Sequence, residues 1–206
     1  MKKEVDRVAA AIDLALAGTT CAVVSSGDPG VYAMAGLVLE MCREREIAIG
    51  GRENGAEDRL HIEVVPGIPA LCSGASLLGA PLTHDFAAIS LSDLLTPWET
   101  IEARLAAAAG ADFVIVIYNP KSRRRSEHLG RAQAIVLAHR DPSTPVGIVT
   151  GAMRDNQRVT LTTLGELHRA EVDMQTTVFI GNSSTFTYDG CMVTPRGYAK
   201  KYNIAE

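Results

Sequence analysis

Five loops of the sequence combine glycine, proline, asparagine or serine directly after an apolar run of strand type. The first is Gly27-Asp28-Pro29-Gly30-Val31-Tyr32, between the run at 20–26 and a helical pattern. Ligands bind beyond the carboxyl ends of strands in open α/β sheets, and glycines together with a helix start expose main-chain N–H groups. A tight turn, with Asp28 capping the helix and Pro29 at its first position, also explains these residues, and local physics favours that turn.

Four later segments have the same arrangement, and for each of them an ordinary loop explains the residues as well as a binding site does. In one of them, Tyr118 and Asn119 end a buried run, and Pro120 excludes Asn119 from the helical region, which leaves main-chain carbonyls available. The segments are Val65–Ala70, Tyr118-Asn119-Pro120, Thr150–Met153 with Asn156–Arg158, and Gly181–Ser184.

A cluster of cations follows Pro120. It consists of Lys121, Arg123, Arg124 and Arg125, with Arg131 one to two helical turns further on. A solvated helix start is the usual explanation of such a run, but cations at a helix N-terminus oppose the helix dipole. The run therefore also fits a grip on the carboxylates of an anionic ligand, which arginine binds through two parallel hydrogen bonds.

Composition restricts the class of protein. The 206 residues carry a formal charge of −4, with 47% hydrophobic and 21% charged residues, which is ordinary globular usage and excludes a disordered or collagen-like chain. The pI near 5.8 and the absence of a basic stripe disfavour nucleic acid as a partner. No apolar run reaches the ~18–20 residues of a membrane span, and the start is not a signal peptide. The scattered cysteines and histidines predict reduced thiols, no metal site and a cytoplasmic protein.

The order of apolar patterns predicts an α/β fold with parallel strands. The chain is best divided into two consecutive α/β domains, 1–85 and 86–206. Helices are expected at the N-terminus, after Val31, and over 69–79, 98–109 and 125–138. Strands are expected at 20–26, 62–65, 86–92, 112–120, 145–151, 158–164 and 176–182. The first domain has only two clear strands, few for a self-sufficient sheet.

The motifs and their order resemble the tetrapyrrole methylases, and most closely the precorrin-3B C(17)-methyltransferases of cobalamin biosynthesis. The likeness covers residues 20–198. The segments that carry it are SGDPGVYAMA, VVPGIPALCSGASLLGAPLTHDF, ISLSDLLTPWETIEARL, FVIVIYNPKSRRR, GIVTGAMRDNQRVTLTTL and FIGNSST.

The resemblance implies two α/β domains that face each other across a cleft holding S-adenosylmethionine, and methyl transfer to carbon 17 of precorrin-3B, or its cobalt-containing counterpart, with ring contraction. It makes Lys121 and Arg123 to Arg125 the residues that bind the substrate carboxylates. Proton transfer in ring contraction would fall to Asp28, His84 or Asp85. The cofactor residues carried over are Gly27, Asp28, Pro29, Val31, Tyr32, Ala70, Leu71, Tyr118, Asn119, Ala152, Met153, Gly181 and Asn182.

One part of the family pattern is not found in this sequence. Family members begin with a strand and a glycine-proline-glycine loop, so the first domain is expected to be truncated. An unpaired strand edge then predicts association through the N-terminal half, as a homodimer. The alternatives are a sibling methylase acting at another ring carbon, a related RNA or protein methylase, and an inactive scaffold.

Overall fold

The computed structural model describes residues 2–50, 59–122 and 126–204, so Arg123 to Arg125 lie outside the described residues. Packing divides the chain into two compact units, Met1–Pro69 (unit 1) and Ala70–Glu206 (unit 2). This division falls before the expected boundary at residue 85, because the helix that begins at Ala70 packs on the sheet of unit 2. A division into folding domains at residue 85 stays a prediction.

Unit 1 is built on two helices, α1 (Lys2–Leu16) and α2 (Met34–Glu44). Their apolar stripes meet in a small core around Val8, Ile12 and Cys42, each at most 3% exposed. An ion pair between Asp13 and Arg45 adds a polar link at the surface. Both helices lie in the regions where the three-to-four spacing of apolar residues predicts them, although α2 begins only at Met34.

The two strands expected in unit 1 are not formed. Residues 19–26 and 61–69 belong to no helix or strand, and the described part of unit 1 contains a single bridge, between Ile49 and Leu60. A strand needs ladder hydrogen bonds to a neighbour, and an apolar run alone does not provide that neighbour. The side chains of Val24 and Val65 accordingly stay 88% and 66% exposed.

Unit 2 follows the expected order of elements closely, and the helices and strands predicted between 69 and 182 are confirmed. Its elements are α3 (Ala70–Leu78), β1 (Gly79–Ala80), β2 (Phe86–Ser90), α4 (Trp98–Gly110), β3 (Val114–Tyr118), α5 (His128–Leu137), β4 (Pro145–Thr150), β5 (Arg158–Thr163), a 3-10 helix (Leu164–Arg169), β6 (Thr176–Ile180), β7 (Phe186–Tyr188), β8 (Cys191–Val193) and α6 (Tyr198–Lys201).

The main sheet of unit 2 has the strand order β2-β3-β6-β4-β5, and a small second sheet has the order β1-β8-β7. Only β2 and β3 pair in parallel in the main sheet, whereas β6 runs antiparallel to both β3 and β4, and β5 antiparallel to β4. The expectation of a parallel sheet is therefore wrong for this unit. An uninterrupted apolar run indicates burial on both faces, and it does so for either strand direction.

The core of unit 2 lies on both faces of this sheet. On one face α4 and α5 bury a large cluster that includes Ile101, Leu105 and Val136. On the other face α3 lies against β4 and β6, and Gly74 of α3 sits directly over the Phe179 ring. A Cβ atom at position 74 would lie 2.7 Å from Phe179 Cζ, so the close packing of α3 requires glycine there. No helix in the described ranges has the length and apolar character of a membrane span.

Replacing Gly74 by alanine should destabilise the protein by about 1–3 kcal/mol, because Phe179 is fully buried and overpacking a core costs that much. The matched control is Gly130→Ala in α5, where a Cβ would meet nothing within 4 Å. The control should stabilise the protein by about 0.5–1 kcal/mol through the helix preference of alanine over glycine. Denaturant unfolding of both variants measures the difference, and equal midpoints would contradict the packing of α3 on Phe179.

Candidate functional site

In unit 1, one carboxylate joins the two candidate loops. Asp28 Oδ2 accepts a hydrogen bond from the main-chain N–H of Gly67 at 3.0 Å, and Oδ1 accepts one from Gly30 at 2.8 Å. These bonds connect the loop 27–32 with the loop 65–69, which are far apart in the sequence. Hydrogen bonds to an ionised carboxylate are stronger than those between neutral groups. The Asp28 carboxylate thus holds the two loops together.

The contact between these loops requires glycine at position 67. A Cβ atom there would lie 2.2 Å from the carbonyl oxygen of Gly27, so any side chain would force the loops apart. Gly27 itself has φ +80°, a backbone conformation that side chains rarely adopt. The paired glycines therefore let two stretches of main chain approach each other closely.

The helix after this loop begins later than expected. Helix α2 starts at Met34 with Ala33 as its N-cap, so the prediction that Asp28 caps the helix with Pro29 at its first position is wrong. Asp28 closes a turn onto Gly30 instead, and Val31 continues that turn through an N–H bond to the Asp28 carbonyl at 3.3 Å. Tyr32 then adopts φ +52° and exposes more than half of its side chain.

The same hydrogen bonds favour the charged form of Asp28. The main-chain N–H of Gly67, followed by that of Gly30, lowers the pKa of Asp28 below the ordinary aspartate value. The carboxylate is therefore ionised near neutral pH, and both of its oxygens are engaged. This geometry suits a residue that positions the loops, and it suits a proton donor poorly.

In unit 2, the residues expected from the second and third loops are brought together. Leu71, in the first turn of α3, donates its main-chain N–H to the phenolic oxygen of Tyr118 at 2.8 Å. Leu71, Tyr118 and Ala152 also pack against one apolar cluster around Phe179. Ala70 begins α3 beside this contact. The carboxyl end of β3, the start of α3 and the loop after β4 thus meet in one region of unit 2.

The polar pair at the end of β3 is fixed by its neighbour strand. Asn119 Nδ2 donates to Ser90 Oγ at 2.9 Å, and the Tyr118 carbonyl accepts from Leu91 N–H at 3.0 Å. Asn119 has φ +52°, a left-handed conformation that asparagine tolerates. The Tyr118 carbonyl, expected to be available to a ligand, is therefore occupied by the chain itself.

The loop after β4 is fixed by the amide side chains of Asn156 and Gln157. Gly151 has φ +59°, and a Cβ there would collide with Asn156 Oδ1 at 2.5 Å. Gln157 Oε1 accepts the main-chain N–H of Met153 at 2.9 Å, and Met153 exposes most of its side chain. Sequence reasoning noted Asn156 and Gln157 only as neighbours of this loop and did not identify Ser90. The sequence does carry a signal for Ser90, since it is a polar residue at the end of the predicted strand that precedes the strand of Tyr118.

Gly181 and Asn182 lie at the opposite edge of the sheet, and the expectation that they join Tyr118 and Asn119 is wrong. Because β6 is antiparallel to β3, its last residue Ile180 pairs with Ile115 near the start of β3. The five residues of β3 separate the two ends by about 15 Å. Asn182 is buried, and its Oδ1 accepts hydrogen bonds from the following turn, including Ser184 N–H at 3.0 Å.

His84 and Asp85 also lie at that opposite edge, before β2. The Asp85 carbonyl accepts from Val114 N–H at 3.1 Å, and His84 Nδ1 accepts from Asp85 N–H at 2.8 Å. Both side chains are exposed. The structure therefore does not bring these two candidate catalytic residues to Tyr118 and Asn119, because β2 and β3 run in parallel and His84 and Asp85 precede the amino end of β2.

Lys121 is exposed directly after the β3 edge, as a residue that binds substrate from solvent would be. Arg123, Arg124 and Arg125 fall outside the described residues, so their proposed contacts with carboxylates stay predictions.

Acidification should release the contact between the two loops of unit 1. Since the folded-state pKa of Asp28 is lowered, its contribution is present at neutral pH and is lost as the pH falls through that lowered pKa. We expect the amide proton resonances of Gly30 and Gly67 to shift together below about pH 4 in NMR spectra. Neither amide should titrate in Asp28→Asn. Independent midpoints for the two glycines would contradict a shared carboxylate.

Comparisons with known proteins identify the family of the chain. The family profile of the tetrapyrrole (corrin/porphyrin) methylases matches residues 2–168. A cobalt-factor III methyltransferase from Priestia megaterium is 53% identical over 204 residues, which are 99% of this chain and 36% of that protein. A probable cobalt-factor III C(17)-methyltransferase from Salmonella typhimurium (strain LT2) is 48% identical over 96% of this chain and 78% of that protein. The chain thus spans about a third of the Priestia protein and most of the Salmonella one.

Solved structures show the same likeness. The crystal structure of the methyltransferase CobJ superposes with a TM-score of 0.79 at 35% identity, over 93% of this chain and 77% of that one. The cobalt precorrin-4 methyltransferase CbiF, at 20% identity and a TM-score of 0.64 over 85% of this chain and 69% of its own, shares the fold. With 48% identity to a relative that it covers over more than two thirds, and a matching profile over most of its length, the chain belongs to the tetrapyrrole methylase family.

Proposed function

We propose that this chain transfers a methyl group from S-adenosylmethionine to carbon 17 of a tetrapyrrole, precorrin-3B or its cobalt-containing counterpart, with contraction of the ring in cobalamin biosynthesis. The observation that carries the proposal is the 48% identity, over nearly the whole chain, with the Salmonella C(17)-methyltransferase. The likeness to the methyltransferase CobJ, at 35% identity, supports methyl transfer as the reaction.

The residues of each unit fit the proposed cofactor. In unit 1 the main chain of Gly27 to Tyr32, held in place by Asp28, offers polar groups without bulky side chains around them. In unit 2 the half-buried residues Leu71 and Ala152 supply apolar contact, and the main chain at Met153 is fixed by Gln157. Exposed main-chain polar groups, as in unit 1, and apolar contacts beside fixed main chain, as in unit 2, are each features of small-molecule binding sites. S-adenosylmethionine would supply a methyl group on a positively charged sulfur.

The residues of this chain contribute mainly by positioning. Methyl transfer to carbon is a displacement in line with the bond that breaks, so correct placement of the two reactants provides a large share of the rate. Asp28 serves this purpose by fixing the loop 27–32, and Tyr118 does so by fixing the start of α3 through Leu71. In this proposal Pro29 and Val31 belong to the main-chain frame of unit 1, and Ala70 and Asn119 belong to that of unit 2.

Lys121 with Arg123, Arg124 and Arg125 would bind the acetate and propionate carboxylates of the tetrapyrrole. Arginine suits this task because its planar guanidinium pairs with a carboxylate through two hydrogen bonds. Lys121, which lies in the described part of this segment, is exposed directly after β3.

Two further properties belong to the proposal. We infer a homodimer that forms through the N-terminal half of the chain, because unit 1 exposes the apolar side chains of Val24 and Val65. We also infer that the reaction takes place in the cytoplasm, where the free thiols of the chain would stay reduced.

Replacing Asp28 by alanine should weaken binding of S-adenosylhomocysteine about tenfold or more, because the loop 27–32 loses its link to Gly67. The matched control is Asp141→Ala in unit 2, in the turn before β4, which removes a carboxylate that accepts the Ser143 N–H at 2.7 Å in a similar turn. Isothermal titration calorimetry of the wild type and both variants measures the affinities. Unchanged affinity in Asp28→Ala would reduce the loop to an ordinary turn, and no heat with the wild type would indicate an inactive scaffold.

Substitution of Arg123, Arg124 and Arg125 together by alanine should raise the KM for the tetrapyrrole while the affinity for S-adenosylhomocysteine stays unchanged. Each lost charge-assisted contact weakens binding of the carboxylate-rich substrate. The control removes three exposed cations elsewhere, Arg196, Lys200 and Lys201. Steady-state kinetics with calorimetry distinguishes the two ligands, and equal losses for both would disprove the carboxylate grip.

A further inference from the structure

The loop that follows β2, residues 91–97, is attached to the end of β3. Leu91 N–H donates to the Tyr118 carbonyl at 3.0 Å, and Ser92 N–H donates to Ser90 Oγ at 3.2 Å. The same Ser90 hydroxyl accepts from Asn119 at 2.9 Å. We name this segment the Asp93 loop, and its first residues are fixed to Tyr118 and Asn119.

Asp93 forms an ionisable pair with the first residue of α5. Its Oδ2 lies 3.0 Å from His128 Nε2, with the Asp93 side chain 38% exposed and the His128 side chain 14% exposed. The other ring nitrogen, Nδ1, is buried and has no hydrogen-bond partner among the described residues. The imidazole is thus directed at Asp93 by one hydrogen bond, and the carboxylate keeps access to solvent.

The indole ring of Trp98 packs against the His128 imidazole. The Trp98 and His128 rings meet edge to face with centroids 4.6 Å apart, and Trp98 is 8% exposed. The Arg131 guanidinium lies 4.3 Å from the indole centroid, and Arg131 pairs with Glu102 at 3.0 Å. Asp93, Arg131 and Glu102 are the charged residues that these contacts place around the Trp98–His128 pair. The pair is therefore anchored on both α4 and α5.

The surface beside Asp93 is apolar and open. Leu94 and Leu95 follow it directly, with 58% and 88% of their side chains exposed. The two adjacent leucines thus present a small apolar surface beside the carboxylate. A flat macrocycle offers both an apolar face for such leucines and N–H groups for a carboxylate.

The proposed reaction requires a proton acceptor. When the methyl group passes to a neutral carbon, the sulfur–carbon bond breaks, a carbon–carbon bond forms, and the bonding electron pair stays on sulfur. The positive charge then resides on the methylated ring until one proton leaves it. A carboxylate beside the ring that accepts this proton becomes a neutral acid and restores an uncharged ring.

We propose that the Asp93 carboxylate is this acceptor and that His128 is its positioning residue. This inference rests on the proposed function and identifies a base for it. Asp93 lies on the loop fixed to Tyr118 and Asn119, whereas His84 and Asp85 lie at the opposite edge of the sheet. Asp28 is engaged by main-chain N–H groups on both oxygens.

The experiment compares Asp93→Asn with Glu99→Gln, which makes the same change of carboxylate to amide at an exposed position in the first turn of α4. The probes are cobalt-factor III, precorrin-3B and S-adenosylhomocysteine. Trp98 is the single tryptophan of the chain, so quenching of its emission measures the tetrapyrrole dissociation constant, and calorimetry measures S-adenosylhomocysteine affinity. We expect Asp93→Asn to lower kcat about 100-fold or more while both affinities change less than about threefold. Glu99→Gln should behave as the wild type.

His128 is tested by two substitutions. His128→Phe keeps a ring against Trp98 and loses the donor to Asp93, so kcat should fall by less than in Asp93→Asn with KM unchanged. His128→Gln, which keeps an N–H donor, should recover part of the rate. If the Trp98 emission shows that Asp93→Asn is misfolded, Asp93→Glu replaces it and should retain measurable turnover.

The outcomes separate the two proposals. A wild type that methylates the tetrapyrrole together with an Asp93→Asn variant of equal kcat overturns the assignment of Asp93 and leaves the proposed function standing. Loss of tetrapyrrole binding with normal kcat also overturns it, since Asp93 is then a binding residue. A wild type that neither binds nor methylates the tetrapyrrole overturns both.

Discussion

Strand β6 runs antiparallel to both of its neighbours, and this direction decides which loops of unit 2 share an edge. All five of its residues are buried, and it pairs with β3 on one side and β4 on the other. Since β2 is parallel to β3, the carboxyl ends of β2, β3 and β4 all lie at the same edge. Ser90, Asn119 and Gly151 therefore lie at this edge, and the loop after β6 lies at the other.

The other edge is occupied by a structural network. Buried Arg140 donates to the carbonyls of Gly181 and Phe113 and pairs with Asp112, Nε to Oδ1 3.3 Å. Burial lowers the pKa of Arg140, and the charge of Asp112 opposes that effect. Asp112 also accepts from Ser183 N–H at 3.0 Å. Arg140, Asp112 and Ser183 thus bind one another and nearby carbonyls, and this network stabilises the sheet at that edge.

Sequence alone predicts the elements of unit 2 well, because apolar periodicity reports burial. The helix expected over 98–109 is formed by Trp98–Gly110, and the run at 176–182 contains β6. The same signal carries no information on strand direction, which is why Gly181 was assigned to the wrong edge. It also cannot report whether a strand has a partner, so the run at 20–26 was predicted as a strand that unit 1 does not form. The hydrogen bond from Gly67 N–H to Asp28 could not be predicted either, because it joins segments that are far apart in the sequence.

The two units hold their loops by different means, and this difference determines where acid–base chemistry fits. In unit 1 the charged carboxylate of Asp28 holds the loops together, and the main-chain N–H groups that donate to it lower its pKa. In unit 2 uncharged side chains hold the loops: the Tyr118 phenol binds Leu71, and the Asn119 amide binds Ser90. The carboxylate of Asp93 is paired with an imidazole instead. A base must be able to gain a proton without disrupting the fold around it. In unit 2 the loops are held by the uncharged Tyr118 and Asn119 side chains, so protonation of Asp93 leaves those contacts intact.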